Sequence, residues 1–316
     1  MGGKLNSLIA PPQGEIALVA CLFPGQGSQY PGIGRELESR FSVAKKTFDE
    51  ATEALEMDVR DLAWNSSDRE LARTENAQVA IVTASVAAWR VWREEQVPAN
   101  SSHFLFAGHS VGAVSASIAS GHLSFREGII LARARGELMS RAPEKGSMIA
   151  VAVPIAASRD LALEFAHENN LDIAAFNGEK QIVLSGAETN VELAKTHFGA
   201  KSRVLNVSHG FHSRLMDPIM EDWSRLVANL DFLSSDQFYF GSATGKFTGS
   251  SEDVRVDLRL GLRAPVRWDS VMQEASKATK WFTFGPGSAL LRLARPHMVG
   301  RVMSAIDDCF KGKDTQ

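Results

Sequence analysis

Cysteine, long apolar runs and secretion signals are scarce or absent in this sequence. The 316 residues include two cysteines, Cys21 and Cys309, which lie far apart along the chain. Such sparse cysteine suits a reducing compartment better than a disulfide-stabilised extracellular domain. The apolar run IALVACLF is far shorter than the roughly 20 residues of a membrane span, and the N-terminus lacks the apolar segment of a signal peptide. We therefore expect a cytoplasmic protein with no membrane partner.

An excess of charge of one sign and metal-ligand motifs are also lacking. The 34 Lys and Arg residues and 37 Asp and Glu residues give a formal net charge of −3, which does not indicate a nucleic-acid partner. No HExxH or CxxC motif occurs, and we assign no metal. Hydrophobic residues make up 44% of the chain, which is enough for a sizeable globular core.

Short apolar runs that alternate with helical segments predict an α/β fold. The runs EIALVACLF and HFLFAG, residues 15–23 and 103–108, have the length and composition of buried strands. Helices are expected over 35–57 and over 76–95, the second beginning at a capping Asn76. The later predicted elements of this part are helices over 111–120, 124–141 and 214–229 and the strands FYFGS and WFTFG.

A different pattern over residues 147–206 predicts a second, smaller unit. In order, this segment is expected to form strand, helix, strand, strand, helix and strand, with the turn GE joining the middle strands as a hairpin. The βαββαβ order over about sixty residues is that of the ferredoxin-like fold. We therefore predict an α/β core formed by 1–144 and 208–316, with a ferredoxin-like subdomain, 145–207, inserted into it.

The pentapeptide GHSVG places Ser110 between two glycines, after a predicted strand and before a predicted helix. This is the context of a nucleophile elbow, a sharp turn in which the backbone passes close to itself and glycine is needed on both sides. The alternative is a small residue in an ordinary tight turn. We interpret Ser110 as a nucleophile, and the helix behind it would supply the N–H group of Val111 to stabilise an oxyanion.

A serine nucleophile needs a base, and the sequence contains eight histidines. His109 neighbours Ser110, but adjacent residues on such a turn rarely face each other. His209 and His212 lie in the loop SHGFHSRLMDP, at the junction of the two predicted units, where a catalytic histidine is well placed. Spacing does not choose between these two, and Asp217 is only a sequence neighbour that could orient the base.

The glycine-rich loop FPGQGSQYPGIG, residues 23–34, has two interpretations. A dinucleotide-binding loop requires G-x-G-x-x-G, but Tyr30 occupies the position of the third glycine. The other interpretation is a turn that faces the serine and stabilises an anion through the backbone N–H group of Gln26.

Five motifs, in this order, resemble those of the malonyl-CoA:acyl carrier protein transacylase family: FPGQGSQ, GHSVG, RARGELM, HGFHSRLMDP and PVRW. The resemblance extends over nearly the whole chain, and the family includes acyltransferases of fatty-acid and polyketide synthesis. It implies an α/β-hydrolase-like core with a ferredoxin-like insertion. It also implies a ping-pong reaction in which Ser110 takes an acyl group from CoA and His212 acts as base, its ring oriented by a backbone carbonyl.

The resemblance further implies which residues bind the acyl group. The N–H groups of Gln26 and Val111 would form the oxyanion hole, and Arg135 would hold the malonyl carboxylate through two parallel hydrogen bonds. Phe211, just before the catalytic histidine, would exclude an α-methyl branch by its bulk, a discrimination of about 1 to 3 kcal/mol. The implied substrates are acyl-CoA and the phosphopantetheine thiol of an acyl carrier protein. We expect no resident cofactor and a monomer.

Three positions depart from the family pattern. Ala113 stands where many members have Glu, Gly261 where Gln or Asn is common, and Gly210 where Ala is usual. The carbonyl of Gly261 would still orient His212, so the departures bear on the acyl group more than on the chemistry. The alternative function is therefore a transacylase that moves another acyl group between carrier proteins, or an editing hydrolase, in a polyketide pathway. The motif GQGSQ argues against a plain serine esterase, and the intact Ser110 and His212 argue against a non-catalytic binding module.

Overall fold

The computed structural model describes residues 18–96, 103–297 and 302–305. Within these ranges no helix is long and apolar enough to cross a membrane. Cys21 is buried and carries a free thiol, whereas Cys309 and the N-terminal segment considered above lie outside the described residues.

Strands and helices alternate along the described residues, as in an α/β protein. The strands are β1 (Leu18–Phe23), β2 (His103–Gly108), β3 (Ser147–Ala152), β4 (Asp172–Phe176), β5 (Gln181–Gly186), β6 (Ser202–Val204), β7 (Phe238–Gly241), β8 (Lys246–Thr248), β9 (Lys280–Thr283) and β10 (Val302–Ala305). The helices are α1 (Arg35–Arg40), α2 (Ser42–Leu55), α3 (Val59–Asn65), α4 (Asp68–Leu71), α5 (Thr74–Gln96), α6 (Gly112–Ala119), α7 (Phe125–Ser140), α8 (Ala156–Glu168), α9 (Glu188–Phe198), α10 (Met220–Ala228), α11 (Ser251–Leu260), α12 (Trp268–Ala275) and α13 (Ala289–Ala294).

The larger sheet forms the centre of the core. Within the described ranges its strand order is β10-β9-β1-β2-β7-β8. Every neighbouring pair is parallel except β7 and β8, which form an antiparallel pair. Strand β1 is buried along its whole length except at Leu18. A strand buried on both faces of a parallel sheet reads as a continuous apolar run, which explains the run IALVACLF.

The smaller sheet contains the strands of the predicted insertion. Its order is β4-β5-β3-β6 and its pairs are antiparallel, which is the ferredoxin-like arrangement. It has its own cluster of buried apolar side chains. The edge strand β4 is bonded to the core at Val266, whose backbone N–H donates to Ala174 and whose carbonyl accepts from Phe176, both at 2.9 Å.

Two helices in the first hundred residues differ from the prediction. The helix expected over 35–57 is divided into α1 and α2, because Phe41 between them is extended, with φ of −126°. The helix expected to begin at a capping Asn76 begins at Thr74 instead. The side chain of Asn76 donates to the carbonyl of Glu70 and therefore does not cap the helix.

Proline changes the helix expected over 214–229. Residues 214–219 form a 3₁₀ helix that contains Pro218, and α10 begins only at Met220. A proline has no N–H group for an α-helical hydrogen bond, so the regular helix starts after it.

The carboxyl ends of three neighbouring parallel strands meet at one edge of the large sheet. There β1 leads into the loop with Gln26, β2 into Ser110, and β7 into the turn with Ser242 and Ala243. Open parallel sheets bind their ligands at this edge, and the site predicted from the sequence lies here.

Candidate active site

The turn after β2 has the geometry of a nucleophile elbow. Ser110 has a left-handed backbone conformation, with φ of 53°, which is uncommon for a residue with a side chain. A Cβ atom on Gly112 would lie 2.3 Å from the carbonyl oxygen of Phe23, and one on Gly108 would lie 1.9 Å from the backbone of Gly112. The backbone therefore requires glycine at both positions of the GHSVG motif.

His212 lies directly against the serine. Its Nε2 atom is 2.8 Å from Ser110 Oγ, and its Nδ1 atom is 2.9 Å from the carbonyl oxygen of Ala264. A carbonyl can only accept, so Nδ1 carries the proton and Nε2 accepts from the serine hydroxyl. His212 also has a left-handed backbone, with φ of 56°, so both members of the pair are held in conformations that most residues avoid.

The structure brings His212, and not His209, to the serine. His209 Nδ1 lies 2.9 Å from Ser208 Oγ. Asp217 accepts a hydrogen bond from Arg263 at 2.7 Å and is not hydrogen-bonded to His212. The orienting group of His212 is a backbone carbonyl rather than a carboxylate.

The orienting carbonyl is not the expected one. We expected Gly261 to contact His212, but Ala264 does so, and the carbonyl of Gly261 instead accepts from Arg135 Nη2 at 3.1 Å. Helix α11 ends at Leu260, so carbonyls just beyond it have no intrahelical partner and are free to accept from side chains. Two such carbonyls, those of Gly261 and Ala264, accept hydrogen bonds from Arg135 and His212.

Burial and the charge of Arg135, in that order, lower the pKa of His212 from 6.5 to about 3, against the opposing effect of the Ala264 hydrogen bond. His212 is therefore neutral at neutral pH. The neutral ring, with Nε2 unprotonated, is the form that a general base requires.

Arg135 is a buried cation in the same site, only 3% exposed. Its Nη1 donates to Gln78 Oε1 at 2.9 Å, and its Nη2 donates to Ser110 Oγ at 3.3 Å. Among the described residues no carboxylate pairs with it, and burial lowers its pKa to about 10, so it is still charged at neutral pH. An unpaired buried charge is costly, and a bound anion would relieve that cost.

A chain of side-chain hydrogen bonds connects Arg135 with the glycine-rich loop. Gln78 Nε2 donates to Thr74 Oγ1 at 3.0 Å, and the Thr74 hydroxyl donates to Gln26 Oε1 at 2.8 Å. Neither Gln78 nor Thr74 was predicted from the sequence as part of the site. The available signal was a glutamine in a long apolar helix, because a polar side chain at a buried position needs a partner.

Gln26 and Val111, the expected oxyanion hole, both lie beside the elbow. A Cβ atom on Gly25 would lie 2.6 Å from the carbonyl oxygen of His109, so the two loops touch here. Within the described residues, neither backbone N–H group donates to a protein acceptor, which leaves both available to a ligand. His109 itself faces Asn177, with 2.9 Å between Nε2 and Oδ1. The oxyanion-hole role stays a prediction.

A cavity of about 10 Å³, enough for about one water molecule, lies beside Ser110. Arg135 and His212 line it, as expected for residues that would contact the acyl group. Two of the departures from the family pattern, Ala113 and Gly261, line it as well. The other lining residues are Val114, Trp223, Ser242, Ala243, Leu258, Ala264 and Val266.

Phe211 is not among the residues that line this cavity. Its side chain is 4% exposed, and its ring centroid lies 6.0 Å from that of His209. The role of Phe211 in selecting the acyl group stays a prediction. At Gly210, the third departure, a Cβ atom would lie 3.0 Å from the carbonyl oxygen of Gly186, so close packing explains the glycine.

Asp257 holds one wall of the cavity in place. Its Oδ1 accepts from the backbone N–H groups of Ala243 and Thr244 at 2.9 and 2.8 Å, and its Oδ2 accepts from the Tyr239 hydroxyl at 2.7 Å. These bonds fix the turn after β7 against α11, which carries the rest of that wall. This contact was not predicted from the sequence, because an acidic residue in an amphipathic helix gives no sign that it is buried.

Comparisons with known proteins identify relatives of this chain. The acyl transferase domain family matches residues 21–276. A malonyl CoA-acyl carrier protein transacylase of Bacillus subtilis (strain 168) is 34% identical over 290 residues, which cover 89% of this chain and 90% of the relative.

Two solved structures confirm the predicted fold. A malonyl-transacylase in complex with its type II polyketide synthase acyl-carrier protein has a TM-score of 0.83 at 31% identity, covering 92% of this chain and 96% of that one. An acyl-carrier-protein-S-malonyltransferase of Bartonella henselae has a TM-score of 0.84 at 28% identity, covering 91% and 95%.

Proposed function

The chain belongs to the acyl transferase domain family, and on this premise we propose that it transfers a malonyl group from CoA to the phosphopantetheine thiol of an acyl carrier protein. The reaction proceeds through an ester on Ser110. The similar proteins described above are malonyl transferases by name, and one of them binds an acyl carrier protein.

The observation that carries the malonyl assignment is the unpaired charge of Arg135. Its guanidinium is buried, has no carboxylate partner among the described residues and lies 3.3 Å from Ser110 Oγ. The carboxylate of a malonyl ester is one methylene from the carbonyl that Ser110 carries, which is within reach of this guanidinium. An acetyl group would leave the buried charge unpaired, so the geometry favours an acyl group with a free carboxylate.

In the first half of the reaction, Ser110 Oγ attacks the thioester carbonyl of malonyl-CoA. His212 Nε2 accepts the hydroxyl proton, while its Nδ1–H bond to the carbonyl of Ala264 keeps the ring in place. The N–H groups of Gln26 and Val111 would stabilise the tetrahedral oxyanion. The C–S bond then breaks, and the CoA sulfur leaves with the proton from His212.

The second half reverses these roles. The thiol of the carrier protein gives its proton to His212 and attacks the seryl ester. The C–O bond breaks, and Ser110 Oγ recovers its proton from His212. The acyl group would occupy the cavity that Ser110, Arg135 and His212 line, and this would limit the access of a hydrolytic water to the ester.

The substrate carboxylate would also act on the base. Arg135 and His212 both contact Ser110 Oγ, and the charge of Arg135 lowers the pKa of His212. A carboxylate bound to Arg135 would offset that charge and make His212 more basic. Recognition of the malonyl group and activation of the serine would thus be coupled.

Three further parts of the proposal concern the protein in solution. It would need no resident cofactor, since Ser110 and His212 carry both steps. It would act as a monomer in the cytoplasm, where acyl-CoA and carrier protein meet. Light scattering of the purified chain tests the monomer.

Intact mass spectrometry after brief exposure to malonyl-CoA or acetyl-CoA tests the function directly. We expect a malonyl adduct on the wild type, none on Ser110→Ala, and loss of the adduct when holo carrier protein is added. Ser115→Ala, a buried serine on the following helix, is the matched control and should keep the adduct. An adduct that forms only from an acylated carrier protein would instead favour transfer between carriers.

A further inference from the structure

We propose that Trp223 is the residue that excludes α-branched acyl groups from this site. This inference rests on the proposed function, because it concerns the malonyl group bound at Ser110. Trp223 lies on α10, 113 positions after the serine in sequence, and it is the largest side chain that lines the cavity.

Trp223 is held too firmly to move aside. Its side chain is fully buried, and its indole N–H group donates to the carbonyls of Leu258 and Arg259 at 3.1 and 3.0 Å. Rotation of the ring would break these bonds and bury the indole N–H group and the carbonyl of Leu258 without these partners, which is costly. The ring is therefore a fixed wall.

The position of this wall is what matters for the acyl group. Trp223, Ser110 and Arg135 line the same cavity, so the indole ring borders the space in which a malonyl group would bridge the serine and the guanidinium. A malonyl group is held at both ends, by the ester to Ser110 and by its carboxylate at Arg135, so it cannot slide away from the wall. An added methyl group on the central carbon would need space that the fixed indole denies.

Phe211 was the sequence-based candidate for the same task. Its ring is buried outside the residues that line the cavity. The two hypotheses can therefore be compared in one experiment, one with Trp223 and the other with Phe211 as the residue that excludes the branch.

The experiment is a competition between malonyl-CoA and methylmalonyl-CoA for the wild type and for Trp223→Leu, Trp223→Phe and Phe211→Ser. Intact mass gives the ratio of the two acyl-enzymes, and this ratio is independent of the fraction of protein that is folded. We expect the preference for malonyl to fall about tenfold or more in Trp223→Leu, less in Trp223→Phe, and little in Phe211→Ser.

Trp281→Leu is the matched control, because Trp281 is also fully buried but does not line the cavity. Its ratio should equal that of the wild type even if its stability falls. If Trp223→Leu does not fold, Leu258→Ala enlarges the cavity at the neighbouring wall and should shift the ratio in the same direction.

Three outcomes would overturn the inference: an unchanged ratio in the folded Trp223 variants, an equal shift in Trp281→Leu, or a shift confined to Phe211→Ser. A wild type that forms no malonyl adduct at all would contradict the proposed function itself, and the inference would fall with it. The wild-type arm therefore separates the two failures.

Discussion

Ser110 and His212 share one hydrogen bond, yet different parts of the chain hold them in place. Ser110 is fixed by its neighbours in sequence, since Gly108 and Gly112 permit the close crossing that forms the elbow. His212 is fixed from a distance, by the carbonyl of Ala264, 52 residues further along the chain. Both residues have a left-handed backbone, but only the conformation of Ser110 is indicated by a local sequence motif.

This difference predicts which kind of substitution should disrupt Ser110 and which should disrupt His212. The turn that holds Ser110 contains glycines that cannot accept a Cβ atom, so even a glycine-to-alanine substitution there should disrupt it. The histidine side depends on long-range packing, so it should fail through loss of a side chain or of its electrostatic surroundings. The four predictions below test this contrast.

The largest effect is expected on the histidine side. His212→Ala should lower kcat for malonyl transfer by about 10⁴-fold or more, because the serine loses its base. His209→Ala, in the same loop, should keep a rate near that of the wild type. Steady-state transfer to holo carrier protein measures both, and equal losses would show that the loop rather than one ring is needed.

The next effect belongs to the serine side. Gly112→Ala should lower the free energy of unfolding by about 3 kcal/mol or more, because its Cβ atom would overlap the backbone of β1. In Gly249→Ala the nearest atom is 3.9 Å away, so this control should unfold like the wild type. Denaturant unfolding gives both values. If Gly112→Ala unfolds like the wild type, the turn that holds Ser110 does not require glycine at this position.

Arg135 contacts both halves, through Ser110 Oγ and the carbonyl of Gly261. Arg135→Lys should lower kcat/KM for malonyl-CoA by about 100-fold, because lysine cannot form the two parallel hydrogen bonds to a carboxylate. Arg133→Lys, on the same helix and paired with Glu137, is the control and should change little. Acetyl-CoA as second substrate shows whether the loss is specific to the carboxylate.

The smallest effect is a shift in pH dependence. With a His212 pKa of about 3, the acylation rate should stay level from about pH 8 to about pH 5, since the base is unprotonated throughout. Arg135→Gln removes one cause of the depressed pKa and should move the acidic limb toward higher pH, although burial, the larger cause, remains. An acidic limb near 6.5 in the wild type would contradict the burial of His212.

Much of the fold followed from the sequence because its elements are strongly patterned. Continuous apolar runs marked β1 and β2, and the βαββαβ order marked the smaller sheet before its strand pairing was known. Boundaries were less certain where a single residue decides them. Phe41 divides a predicted helix because its backbone is extended, and Asn76 fails to cap because its side chain bonds elsewhere.

Less of the site than of the fold could be predicted from the sequence, as four of its residues illustrate. The sequence alone identified Ser110, and the family resemblance added His212 and Arg135. It assigned the orienting carbonyl to Gly261, whereas Ala264 has this position. It also implied that Phe211 excludes an α-methyl group, which stays a prediction, and it gave no indication that Trp223 lines the cavity. Backbone carbonyls and distant helices leave no motif, because any residue type can supply a carbonyl.

The sequence by itself determined the elbow, because the crossing of backbone at Gly108 and Gly112 excludes every other side chain and is therefore visible as a motif. It also determined the order of the strands and helices along the chain, through the periodicity of apolar residues. The family resemblance implied His212 as the base, but only the tertiary structure showed its contact with the serine, the groups that accept hydrogen bonds from Arg135, and the aromatic ring that lines the cavity. These contacts join segments that are far apart in sequence, and packing rather than local backbone geometry brings them together.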